Sequence, residues 1–119
     1  MAGWKAGVMA TVGGTRSLER AVGLLMTAAE RSRLATWDLE ELGAFQRDTA
    51  VNEALWSATG LLEPDVVPVP VKVEQPGVLA VLQEVERELR RLAIGAYPVG
   101  TSAVVVLVCD LVEEYWCLG

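Results

Sequence analysis

The sequence predicts an all-α fold: a four-helix bundle-like domain of two antiparallel helical hairpins joined by an extended Pro/Val-rich crossover. Three observations predict it. Residues 61–76 read LLEPDVVPVPVKVEQP, and four prolines in that strip forbid a regular helix, since each lacks an N–H and clashes with the preceding turn. The stretches on either side carry apolar residues at helical spacing. Between the first two helical stretches, Trp37 to Leu42 carries the residue pattern of a helix start.

The elements follow in chain order. Residues 1–14 form an N-terminal arm ending in Gly13-Gly14, after which Thr15 or Ser17 caps a helix. Leu18, Val22, Leu25, Met26 and Ala29 then recur on one helical face, and the helix is expected over 16–35. Asp38 as N-cap with Glu41 three residues on fits a capping box, and Trp37 with Leu42 fits the hydrophobic staple. The second helix is expected over 39–59, buried through Leu42, Phe45, Thr49, Val51, Leu55 and Trp56, with Gly60 at its C′ position. The short join makes these two helices antiparallel neighbours.

The crossover, 61–76, spans at most about 50 Å, enough to climb a 20-residue helix of about 30 Å. Val67, Val69, Val71 and Val73 alternate, but Pro68 and Pro70 limit the strip to an edge strand or a polyproline segment. Pro76 suits the first turn of a third helix, whose stripe is Val78, Leu82, Val85, Leu89, Leu92 and Ala96. Gly95, Pro98 and Gly100 end it. Thr101 or Ser102 then caps the last element, Ala103 to Cys117, read as a helix buried all round at its start. Its valines keep an alternative open: an α+β fold with short strands at 66–73 and 103–109.

Length and composition fit a single domain over residues 1–119, with 52% hydrophobic and 22% charged residues. A net charge of −6 and a pI near 4.6 argue against nucleic acid and anionic membranes as partners. The longest apolar run, Ala103 to Cys109, is far short of the ~20 residues a membrane span needs. Cys109 and Cys117 on one helix stand about 12 Å apart, too far to bridge. Two reduced thiols in a chain with no signal-like start place the protein in the cytoplasm.

The chain contains no histidine, which removes the commonest general base and metal ligand. No catalytic residue, metal ligand or cofactor is therefore expected. Asp110, Glu113 and Glu114 share a helix face and form the one candidate acidic site for a hard cation, against the simpler reading of a solvated helix end. Glu84, Glu86 and Glu88 interleaved with Arg87, Arg90 and Arg91 read as a self-neutralised outer face. Cys109 reads as a buried structural thiol. Core packing accounts for most of the four tryptophans, but Trp4, Tyr115 and Trp116 lie near the chain ends and are the interface candidates. The expected function is a non-enzymatic helical protein–protein interaction or assembly subunit that self-associates. The alternative is a small-molecule-binding protein or a carboxylate-based, Mg²⁺-dependent enzyme with an apolar cavity.

Overall fold

The computed structural model describes residues 11–38 and 42–118, with the side chains of all of these except 36–38 and 42. Helix α1 spans Val12–Asp38, α2 Leu42–Thr59, α3 Val78–Leu89 and α4 Thr101–Leu118, with a 3₁₀ turn at Ile94–Ala96. All regular structure among the described residues is helical, as predicted. The strand alternative is not supported: 103–109 lies inside α4, and 66–73 is extended without pairing to a strand. No helix among the described residues is long and apolar enough to cross a membrane.

α1 packs between α2 and α3, and α4 closes the bundle by packing on both. The buried core draws on all four helices: Leu18, Leu24 and Leu25 of α1, Val51 of α2, Leu82 and Val85 of α3, and Val104 and Val108 of α4. Its largest members are fully enclosed, as close packing requires. α1 buries a wider arc than the predicted stripe, adding Ala21, Leu24 and Ala28, because it has a neighbour on two sides.

The crossover runs alongside α1 in the same direction, and hydrogen bonds hold it there. The Val71 N–H donates to Gly23 O (3.0 Å), and the Thr27 hydroxyl donates to Val71 O (2.6 Å). Arg31 then donates to the carbonyls of Val73, Gln75 and Gly77. These bonds replace the ladder partners that the prolines deny the strip. Val71 and Val73 turn toward the core while Val67 and Val69 point to solvent. Having climbed α1, the chain descends through α3, so Glu88 returns to Ser17 near the start of α1, and α4 rises to bring Tyr115 to Ser32. The path is up, down, crossover, down, up: two hairpins, as expected.

Several predicted boundaries move, each for a stated reason. α1 begins at Val12 and not at 16, because Thr11 is its cap: the Gly14 N–H donates to Thr11 Oγ1 (2.9 Å), and Thr15 and Ser17 lie inside the helix. Gly13-Gly14 thus lies inside the helix and does not end the N-terminal arm. A Cβ at Gly14 would overlap the Ala96 carbonyl, which also accepts from Thr11 N–H (2.9 Å). α1 continues to Asp38 and α2 begins at Leu42; the capping and staple geometry expected at Trp37–Leu42 lies outside the described residues. Gly77, not Pro76, precedes α3 directly, with φ 94°. α3 stops at Leu89, so Leu92 and Ala96 leave its stripe. The Glu88 carbonyl, which a longer helix would use internally, accepts instead from the Tyr97 hydroxyl (2.9 Å) and the Arg91 N–H (3.3 Å), with Ser17 Oγ also 2.9 Å away. Thr101 is the first residue of α4, its hydroxyl donating to Pro98 O (2.7 Å). α4 buries one face, Thr101, Val104, Val108 and Leu111, and leaves Val106 outside, so it is not buried all round.

Candidate functional site

The most connected polar group in the bundle is Glu88. It is 6% exposed, against the expectation of an outer-face residue. Its carboxylate accepts from Ser17 Oγ (2.7 Å), from Arg20 Nε (3.0 Å) and from Arg91 Nη1 (2.9 Å). Ser17 Oγ also lies 3.1 Å from the Tyr97 hydroxyl. The i,i+4 logic that placed Glu88 outside sees only α3, whereas two of its partners come from α1. Glu84 with Arg87 does form the expected outer pair, but Arg90 turns to Cys109.

A serine hydroxyl on a carboxylate is the raw material of nucleophilic chemistry. Here Ser17, Glu88 and Tyr97 are all buried, and no buried side-chain polar atom among the described residues lacks a partner. The polar atoms of the cluster are engaged with one another and with two arginines. The cluster acts as a clamp that ties α1, α3 and the following turn together.

Cys109 is half-buried at the α3–α4 seam, where Arg90 Nη2 donates to its sulfur (3.4 Å). Burial pushes the thiol up from its ordinary value, and the hydrogen bond from Arg90 only partly opposes this. A raised thiol is the reverse of an activated nucleophile. Cys117 is exposed and free.

The predicted site residues separate. Trp4 lies outside the described residues. Tyr115 is half-buried: its hydroxyl sits 3.4 Å from Ser32 Oγ, and the Arg47 guanidinium lies 5.8 Å from its ring centroid. It packs against the core. Trp116, one residue on, is 65% exposed. Asp110, Glu113 and Glu114 are exposed on α4, and no group of acidic or cysteine side chains that could hold a metal occurs among the described residues.

The exposed aromatic surface sits elsewhere, on α2. The residues α2 buries are Ala44, Val51, Ala54 and Ala58. Phe45 (61% exposed) and Trp56 (74% exposed) face outward, which corrects the expectation that they belong to the core. Counted at 100° per residue, they lie on one line about 145° round the helix from the buried face. Thr49 and Asn52 complete that line at 4-3-4 spacing.

Beside this stripe runs an open groove. One stretch, of about 200 Å³, is walled by Met26, Leu55, Trp56, Thr59 and Pro68. It continues over Ala29, Asn52 and Pro70 into a second hollow of about 320 Å³. The crossover's prolines form one wall and α2 the other. The signal for this surface was present in the sequence: Ala44, Val51, Ala54 and Ala58 follow a 7-3-4 spacing, a small-residue face that competes with the aromatic one for the core. No family model, curated protein or solved structure matches the chain.

Proposed function

We propose that this protein is a non-enzymatic helical interaction or assembly subunit that associates with a second copy of itself. The observation that carries the reading is Trp56, the largest type of side chain, standing 74% exposed in line with Phe45 while alanines fill the core face beneath. A large aromatic buries 150–250 Å² at roughly 25 cal/mol per Å², so each gains several kcal/mol on a partner surface. Aromatic anchors of this kind dominate the energetics of interfaces. Trp116 offers a second exposed anchor on α4. The saturated state of the Ser17–Glu88–Tyr97 cluster supports a structural role for the buried polar groups, and the acidic net charge of −6 favours protein over nucleic acid as the partner. Two free cysteines suit a reducing compartment, the cytoplasm.

Sedimentation velocity over a concentration series tests the reading. The expected result is a dimer or larger species populated below about 100 μM, an affinity better than about −5.5 kcal/mol. A chain that stays monomeric at that concentration would defeat self-association.

A further inference from the structure

We propose that the outer stripe of α2 is a self-complementary dimer seam, with the second copy lying antiparallel across it about a two-fold axis that passes between Thr49 and Asn52. The inference rests on the self-association reading and assigns its surface and its geometry.

The spacing is the first reason. Phe45, Thr49, Asn52 and Trp56 follow one another by four, three and four residues, which reads the same from either end. A two-fold interface is isologous: when residue i meets j, j meets i. Antiparallel pairing centred on this stripe sets Phe45 against the partner copy's Trp56 position at both ends, and Thr49 against Asn52 in the middle. Aromatic meets aromatic twice, and such pairs add to the gain from area alone.

The donors of the polar waist do not oppose burial, and the like charges that this register brings together, Asp48 and the partner copy's Glu53, lie at its edges where salt screens them. The Thr49 hydroxyl donates to Phe45 O within its own helix (3.0 Å). The Asn52 amide nitrogen donates to Asp48 O (2.8 Å) and lies 3.4 Å from Asp48 Oδ1. These donors therefore arrive at the seam already satisfied, and the desolvation cost of stranded donors is avoided.

Area is the third reason. At 74% and 61% exposure, Trp56 and Phe45 offer roughly 200–340 Å² per copy, from a full aromatic burial of 150–250 Å². Two copies bring about 400–700 Å², a third to a half of the ~1,200 Å² at which stable interfaces begin. Antiparallel pairing supplies more: it lays the crossover beyond Pro68, where Val67 and Val69 are 82% and 70% exposed, beside the partner's Phe45 end. Parallel pairing would instead crowd both crossovers together. An interface of this size belongs to the weak, micromolar class.

The experiment is sedimentation equilibrium with charge complementation, with folding of each variant checked by circular dichroism. Trp56→Lys and Phe45→Glu alone should each raise the dissociation constant at least tenfold. The double variant F45E/W56K should bind at least tenfold more tightly than F45E/W56E, which loses the same aromatics, because antiparallel pairing sets each Glu against a Lys. Salt separates the two modes further. The wild-type seam, apolar between two chains of net charge −6, should tighten from about 20 to 200 mM NaCl, and the F45E/W56K seam should loosen. An F45E/W56K variant that binds no better than F45E/W56E overturns the antiparallel seam. If wild type dimerises but Trp56→Lys leaves the dissociation constant unchanged while Trp116→Ala raises it, the seam is wrong and self-association stands. A wild type monomeric at about 100 μM overturns both.

Discussion

α1 is packed from its two sides in opposite ways. On the α3 side, the partner helix turns its large residues inward: Val78, Val81, Leu82, Val85 and Leu89 are buried, and Glu88 adds its clamp to Ser17. On the α2 side, the partner turns alanines inward and its aromatics outward. The α3 seam resembles the interior of an ordinary domain. The α2 seam is built mainly from small side chains and leaves the aromatic side chains of α2 on the far side. The comparison teaches that burial in this bundle draws on large side chains on one side of α1 and on small ones on the other. It is the second mode that leaves Phe45 and Trp56 exposed.

The largest expected effect breaks the first seam. Leu82 is fully buried, and Leu82→Ala should lower unfolding free energy by about 2–5 kcal/mol through transfer and cavity terms. Trp56→Ala, a larger truncation on α2, should change it by under about 0.5 kcal/mol when urea melts are run dilute enough to exclude association. Comparable losses would mean that α2 presents its aromatics to the core after all.

The next effects sharpen the second seam by filling it. Ala54 is fully buried, so Ala54→Leu should cost about 1–3 kcal/mol by overpacking. Gly23→Ala should cost a similar ~1–3 kcal/mol for a related reason. A Cβ at Gly23 would overlap the Val69 carbonyl and press on a Val71 methyl, while Gly23 O is the acceptor for the Val71 N–H. Gly23→Ala should also make the crossover backbone easier to cut, which limited proteolysis between Pro68 and Lys72 would report. Stable, protease-resistant variants would show that both approaches have slack.

How far the sequence reveals this fold depends on where each helix keeps its bulk. The α3 stripe was legible because its largest side chains are its buried ones. The α4 helix was legible because Pro68 and Pro70 leave 66–73 a poor strand for 103–109 to join. α2 was legible as a helix and misread as to its face, since spacing rules weigh Phe45 and Trp56 above Ala44 and Ala54. Glu88 was misread because the residues that bury it stand up to 71 positions away. The start of α1 was misread because two successive glycines signal a break locally, and only the approach of Ala96 explains one of them inside a helix. Of the predicted interface residues, Trp116 is exposed and Tyr115 packs against the core, a difference that position near the chain end does not distinguish. The α2 stripe was visible as a pattern and assigned to the wrong side.

The smallest effect concerns the end of α2 that does pack, against Tyr115. Burial pushes the Tyr115 phenol above its ordinary value of 10.0; the Ser32 hydrogen bond and the Arg47 charge pull it down more weakly, while Asp48 and Glu114 add to the rise. In the unfolded chain the phenol ionises at its ordinary value. Above that pH the unfolded state has released a proton that the native state still holds, so rising pH favours unfolding. The contribution of Tyr115 to stability is therefore complete below about 10.0 and is lost as pH climbs from there through the folded-state value. Cys109, raised chiefly by burial from 9.0, acts with the same sign but begins about one pH unit lower. Urea midpoints taken from about pH 8 to pH 11 separate the two. Tyr115→Phe should track wild type at a constant offset up to about pH 10 and then fall less steeply; Cys109→Ser should flatten the earlier part of the decline. A Tyr115→Phe curve parallel to wild type across the whole range would mean that the phenol ionises as freely in the folded chain. The ends of α2 would then be as open as its outer stripe, and the contrast between its packed and exposed faces would be drawn too sharply.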